Sequence, residues 1–160
     1  MKTKKDRENK RNKGLTLVEL VTTVAILGSL SSIIYPGLIR HLRKAKQQGC
    51  AATMSQVMVT TLNYYDENQV EPTGWRDISN IAALMTIDGP AMDEDFKQLT
   101  INDDYYFGRE GTSDTYRYYC TPTDTSQENY NVDGCLRLIN GAIQINLGDY
   151  SSKAKTAVCS

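Results

Sequence analysis

The chain has 160 residues, 23% of them charged, and a formal net charge of −1. That length allows one globular domain plus an N-terminal segment, and the near-zero charge hides a strong asymmetry. Residues 1–46 carry 11 basic and 3 acidic side chains, a net of +8; residues 47–160 carry 7 and 16, a net of −9. An acidic domain repels phosphates, which argues against nonspecific nucleic-acid binding.

Residues 1–14 form a basic leader with Lys2, Lys4, Lys5, Arg7, Lys10, Arg11 and Lys13, offset by Asp6 and Glu8. An apolar run, Leu15–Tyr35, follows; its 21 residues make a helix of about 30 Å, the hydrocarbon thickness of a bilayer. Basic flanks stay in the cytoplasm, so the leader is expected inside and the acidic domain outside. The second basic cluster, Arg40, Arg43, Lys44 and Lys46, opposes this with less charge. The small-residue site that ordinary signal cleavage needs after an apolar run is lacking at Ile33-Ile34-Tyr35-Pro36, with only a weak candidate at Ser29–Ser32.

Inside the run sits one carboxylate, Glu19. A charged side chain at bilayer depth costs about 2.5–3.5 kcal/mol on insertion scales, and chains that keep one usually supply a partner. A cut after Gly14 would create a charged amine on Leu15, close to Glu19 along the chain. The hydroxyls of Thr22, Thr23, Ser29, Ser31 and Ser32, together with Gly28, suit close helix–helix approach. Gly28 to Pro36 is a weak helical stretch, since Gly costs about 1 and Pro about 3 kcal/mol relative to Ala.

The helical pattern resumes after Pro36 and runs to about Asn68. Leu38, Leu42 and Ala45 lead into a stripe of Cys50, Met54, Val57, Thr61 and Tyr64 or Tyr65, the face expected to pack on the domain. Gln47, Gln48, Ser55, Gln56 and Asn63 are placed on the other faces. Pro72-Thr73-Gly74 marks a turn, and Asp77 is expected to cap a short helix, Ile78–Met85. Asp88-Gly89-Pro90 is another break. Asp93-Glu94-Asp95 lacks the ligand spacing of a calcium loop and reads as a solvated charge run.

Strands dominate the rest. Tyr105–Phe107 and Tyr116–Cys120 are β-rich, with Gly108 to Asp114 as a connecting turn. Residues 135–139 and 142–147 flank Asn140-Gly141, a type I′ hairpin signature that sets Leu136, Leu138, Ile143 and Ile145 on one face, against the long helix. Residues 121–134 read as a polar loop with little to bury, and the tail from Asp149 to Ser160 needs Cys159 to hold it down. The expected fold is α+β: a long N-terminal helix packed on a small antiparallel sheet. The expected divisions are 1–14, 15–36, 37–68 and 69–160.

Cys50, Cys120, Cys135 and Cys159 all lie beyond the apolar run, which in an exported domain suggests two disulfides. Three connectivities are possible. The favoured one joins Cys120 to Cys135 across the polar loop and Cys50 to Cys159 between helix and tail.

At its N-terminus the sequence resembles the type IV pilins and their pseudopilin relatives. The matching residues are Gly14, Leu15, Thr16, Leu17, Val18 and Glu19, followed by Ala25, Gly28 and Pro36 at the family's spacing. The resemblance covers 14 to about 46 and is architectural beyond; Leu15 stands where the family usually has Phe, and the leader is longer than in many members. It implies a prepilin that waits in the inner membrane, is cut between Gly14 and Leu15 by a prepilin peptidase and is methylated on Leu15. The chain then assembles with other pilin subunits through an inner-membrane platform into an extracellular pilus. It implies that Glu19 meets a neighbour's N-terminal amine, that the stretch from Gly28 to Pro36 loses helicity in the filament, and that the region from Cys120 onwards is exposed on the fibre. A pseudopilin of a type II secretion system, ending in a periplasmic pseudopilus, shares this N-terminus. A signal-anchored binding domain that never polymerises is the rival from another class, and Glu19 and the Gly14 spacing count against it.

Chemistry beyond assembly is sparse in the residues. His41 is the sole histidine and lies beside the apolar run, so serine or cysteine nucleophiles in the domain have no imidazole base. No C-x-x-C spacing or phosphate loop occurs, and no cofactor, metal or catalytic residue is assigned. A DNA-uptake role would need a basic patch, for which Arg109, Arg117 and Arg137 are the candidates. The ten tyrosines cluster at 64–65, 105–106 and 116–119, and alternating sheet packing explains the last two clusters more simply than an adhesive surface.

Overall fold

A computed structural model describes residues 16–101, 104–112 and 114–159. The chain divides after Leu38 into two compact units. The architecture is α+β, with a long N-terminal helix, α1 (Leu17–Asn68), and a five-stranded antiparallel sheet. Between them come α2 (Trp75–Ala82) and a small hairpin of β1 (Met85–Thr86) and β2 (Gly89–Pro90). The sheet is β3 (Leu99–Ile101), β4 (Tyr105–Thr112), β5 (Thr115–Pro122), β6 (Val132–Arg137) and β7 (Ala142–Leu147), in that spatial order.

In the unit ending at Leu38, α1 is helical through Gly28 and contains Pro36 within its span. Its large apolar side chains are all uncovered in the single chain, from Leu17 (77% exposed) to Ile33 (76%).

In the second unit, α1 buries Gln47, Cys50, Met54, Val57, Met58, Thr60 and Thr61. Gln47, Cys50, Met54, Val57 and Thr61 step by three and four residues in alternation, one face of a helix. Gln47 corrects its expected outward placement: its amide donates to Gly148 O (2.7 Å) and Asn131 O (3.1 Å), which makes its burial affordable. Gly134 lies where Met54 and Met58 press on the sheet, and any β-carbon there would collide with them. Under α2, Trp75 meets Phe96 edge-on (4.9 Å) and Phe107 at 5.4 Å, and Phe107 stacks on Tyr118 at 6.2 Å. Such aromatic pairs add about 0.5–1.5 kcal/mol beyond their buried area.

Several local expectations change. The helix expected over Ile78–Met85 starts three residues earlier, at Trp75. Its first N–H groups donate to carbonyls of the acidic run, Trp75 to Asp95 O (3.4 Å) and Arg76 to Asp93 O (3.0 Å). Asp77 is not the cap residue; from the first turn it accepts from Thr73 N (2.8 Å) and Oγ1 (2.9 Å). The turn expected over Gly108–Asp114 is mostly strand, because β4 and β5 pair out to Thr112 and Thr115. Gly108 sits opposite Tyr119, whose ring covers it and excludes a β-carbon.

The stretch 121–134 is not a loose loop. It contains the end of β5, a 3₁₀ turn at Thr125–Tyr130 and the start of β6. Asp124 caps the turn by accepting from Ser126 N (2.9 Å), while Tyr130 and Val132 are buried. The β6–β7 connection is four residues, 138–141, rather than a two-residue type I′ turn. Leu138 is buried and its N–H donates to Asp114 O (2.8 Å), which ends the ladder at Arg137. Asn140 keeps a negative φ, and its Oδ1 accepts from Ala142 N (3.0 Å). Of the four apolar side chains placed on the helix side, Leu136 and Leu138 are buried and Ile145 packs on the core. Ile143 stays 37% exposed.

The disulfides are Cys50–Cys120 and Cys135–Cys159, not the favoured Cys120–Cys135 and Cys50–Cys159. The register explains why. Cys120 pairs with Val132, so Cys135, three residues further on, points to the opposite face of the sheet. Cys120 therefore meets α1, and Cys135 meets the tail beneath the sheet. The bridges span 70 and 24 residues, and the chain-entropy estimate for such loops is about 3–4 kcal/mol each. A peptide map without reductant should yield Cys50 joined to Cys120 and Cys135 joined to Cys159; a Cys120–Cys135 peptide would contradict the register.

Burial governs the tyrosines. Tyr105 donates to Tyr130 O (3.0 Å), and burial, then the nearby Asp104 charge, pushes its phenol up to about 12. Burial likewise pushes Tyr116 and Tyr118 upward. A phenol whose folded pKa exceeds its free value of about 10 stabilises the fold below pH 10 and loses that contribution as pH rises towards 12. Phenolate absorbance and circular dichroism recorded together should show the buried tyrosines ionising as the fold is lost. Complete ionisation near pH 10 with the fold intact would refute this.

Candidate functional site

The N-terminal turn of α1 is where the sequence concentrates its unusual chemistry. Thr16 Oγ1 accepts from Glu19 N (3.2 Å), while Glu19 Oε2 accepts from Thr16 N (2.9 Å) and from Thr16 Oγ1 (2.9 Å). This is a reciprocal capping box, which satisfies two of the donors that a helix start leaves open. A carboxylate in the first turn also faces the positive end of the helix dipole. Reading the sequence as an isolated charge in an apolar run misses this. The signal was present: Thr followed three residues later by Glu, ahead of an apolar stretch.

The serine and threonine hydroxyls further along the run are satisfied by the helix itself. Thr22 Oγ1 donates to Val18 O (2.9 Å), Thr23 to Leu20 O (2.8 Å), Ser29 to Ile26 O (2.8 Å), Ser31 to Leu27 O (2.8 Å) and Ser32 to Ser29 O (2.7 Å). A segment surrounded by lipid or by other apolar helices has no water for these hydroxyls, so internal bonding is the arrangement it needs. Residues Leu17–Asn68 contain a stretch long and apolar enough to cross a membrane. Gly14 and Leu15 lie outside the described residues.

The other candidate groups resolve into structural roles. Arg117 grips the buried Asp133 through Nε (2.8 Å) and Nη2, and Arg137 pairs with Asp114 (3.1 Å). Arg109 lies over the rings of Phe96 (3.9 Å) and Tyr116 (3.6 Å). The three arginines are thus spent on separate neighbours instead of forming one basic patch. In the acidic run, Glu94 pairs with Arg76 (2.8 Å) and Asp95 with Lys97 (3.1 Å). Among the described residues no three acidic, cysteine or histidine side chains are placed to hold a metal ion. Tyr105, Tyr116 and Tyr118 are buried, which is the sheet-packing reading of their clusters. In the second basic cluster, Lys46 pairs with Asp104 (2.8 Å) and Arg40 covers the Tyr150 ring (4.1 Å). His41 is exposed on α1.

Asp133 also fixes the tail: its Oδ1 accepts from Ala157 N (2.7 Å), two residues before the Cys159 bridge. Asn131 Oδ1 accepts from Ala154 N (2.7 Å), and Asn146 donates to Lys155 O (3.0 Å). None of these three anchors was legible beforehand, because each depends on strand register.

Comparison with known proteins adds to this geometry. Residues 9–35 match the model for the prokaryotic N-terminal methylation motif. The chain is 33% identical over 61 residues to the type IV major pilin protein PilA of Myxococcus xanthus (strain DK1622). That alignment takes in 38% of this chain, and the chain spans only 28% of that relative's length. No solved structure matches significantly. The similarity is to type IV pilins, and with the methylation motif it makes the chain type IV pilin-like.

The capping box is testable on its own. Thr16→Ala should speed hydrogen exchange of the first-turn amides severalfold in the detergent-solubilised chain, while Thr16→Ser, which keeps the hydroxyl, should not. Equal exchange in all three chains would show that the box contributes little.

Proposed function

We propose that this chain is a structural subunit of a type IV pilus, processed between Gly14 and Leu15 and assembled through the apolar half of α1. The observation that carries the reading is a combination: a methylation motif over residues 9–35, a carboxylate at the third helical position, and apolar side chains uncovered from Leu17 to Tyr35. That much bare apolar surface requires lipid or other apolar helices around it. Before assembly it would sit in the inner membrane with the leader in the cytoplasm. After assembly, other copies or other pilin subunits would replace the lipid.

In this scheme a prepilin peptidase cuts after Gly14 and methylation follows on Leu15. The cut frees an amine one residue before Thr16. Glu19 would then serve twice: as cap of its own helix in the membrane, and as counter-ion to a neighbour's amine in the filament. Gly28 to Pro36 is the stretch that would loosen on assembly, since Pro36 brings no N–H to the helix. The functional divisions proposed are the leader 1–14, the filament-core half 15–36, the domain-packed half 37–68 and the globular part 69–160.

Glu19→Ala should block or impair filament assembly while processing continues, read as sheared surface filaments beside the intact mass of the membrane-held chain. Normal filaments in that variant would sink the pairing. Gly14→Val should leave the uncut chain in the membrane, and normal maturation of that variant would refute the cleavage assignment.

A further inference from the structure

The five-stranded sheet has two unlike edges. Beside β3 lies β1, and Ile87 N donates to Thr100 O (3.3 Å) across the gap. Beside β7, among the described residues, no further strand is paired. The ladder phase follows from Gly148 N donating to Asn131 O (3.0 Å), one step beyond the Val132–Leu147 pair. Bonded and non-bonded pairs alternate in an antiparallel ladder. Ala142, Gln144 and Asn146 therefore bond to β6, and Ile143, Ile145 and Leu147 turn their N–H and C=O groups outward.

Proteins normally blunt such an edge with Lys, Pro, an inward charge or a bulge. The strand itself carries none of these: residues 138–148 read Leu-Ile-Asn-Gly-Ala-Ile-Gln-Ile-Asn-Leu-Gly, without charge or proline. Ile143 is 37% and Leu147 45% exposed. Along the chain the nearest charges are Arg137 and Asp149, and the tail brings Lys153 and Lys155 to a hollow that residues 144–147 also line.

We propose that β7 pairs antiparallel with β7 of a second copy of this chain, in a register centred on Ile145. The strand is complementary to itself in that register. Each outward N–H of one copy faces an outward C=O of the other. On one face Ile143 lies opposite Leu147 and Ile145 opposite its own counterpart. On the other face Gln144 lies opposite Asn146, amide against amide. Moving the pairing by one residue sets outward groups against inward ones; moving it by two sets Leu147 against Gly141 in one direction and Ile143 against Asp149 in the other. The match of side chains on both faces is what selects a second copy as the occupant. A single contact of this size is weak. Edges repeated along a filament would act together between neighbouring filaments, and that last step rests on the pilus reading. The pairing itself rests only on the sheet.

The test uses the full chain in detergent. Sedimentation equilibrium should show association that is insensitive to ionic strength and that Ile143→Lys weakens at least tenfold, while Ser151→Lys, off the strand, leaves it unchanged. Association through the apolar helices would survive both substitutions, so only the part lost in Ile143→Lys belongs to β7. Register is read by mixing Gln144→Cys with Asn146→Cys chains under mild oxidation. The mixture should give severalfold more crosslinked dimer than either variant alone. Equal crosslinking in all three samples, or wild-type association unchanged by Ile143→Lys, would overturn the proposal whether or not the chain forms pili.

Discussion

Polar groups in apolar surroundings have to be satisfied from nearby, and in residues 16–35 the helix does this for itself. The hydroxyls of Thr22, Thr23, Ser29, Ser31 and Ser32 bond back to carbonyls of the preceding turn, and the carboxylate bonds to Thr16 at the helix start. A sequence with this many hydroxyls would otherwise be a poor occupant of lipid. The uncovered Leu, Ile and Val side chains then face outward with little polar cost beneath them. Everything proposed about membrane residence and helix packing depends on that local bonding.

The globular unit solves a different problem, which is to hold a polar chain on a modest core. Its core is aromatic and sulfur-rich where α1 meets the sheet, with Met54 and Met58 set over Gly134. Its periphery is tied by bridges and by single buried polar groups. Cys120 ties the core face of β5 to α1, and Cys135 ties the other face of β6 to the tail. Asp133 works beside Cys135, taking Arg117 on one oxygen and the tail's Ala157 N–H on the other. One strand thus presents glycine to the helix and a carboxylate and a sulfur to the tail. Alternation along β6 is the reason a single short segment serves both sides.

That alternation also marks where the sequence could be read and where it could not. The helical stripe of Cys50, Met54, Val57 and Thr61 is a local periodicity and was legible, as were the β-rich tyrosine segments and the overall α+β class. Gln47 was not, because its burial depends on the carbonyls of Asn131 and Gly148, which are distant in sequence. The disulfide pairing was not, because it depends on which side of β6 Cys135 faces, and that is set by register with β5. The Asn-Gly signature pointed to the right hairpin and the wrong turn. Burial of Leu138 outweighed the local preference for a two-residue turn, as tertiary packing often does. Of the N-terminal features, Glu19 was conspicuous as a charge, yet its capping geometry was equally available from the Thr16 spacing.

The capping box bears on how a subunit could change partners. A carboxylate held by one short side chain and one backbone N–H is satisfied without being buried, so it remains accessible to a second cation. An incoming amine need not strip Glu19 of both bonds, because a carboxylate has lone pairs for several donors. Thr16 can keep its grip on one oxygen while the other turns to a neighbour. Under the pilus reading, transfer from lipid to filament then passes through no stage in which the charge stands alone. The same logic makes Thr16 as informative a position as Glu19. Removing the carboxylate would take away the attraction between subunits, whereas removing the hydroxyl would leave the attraction and expose the charge to the membrane.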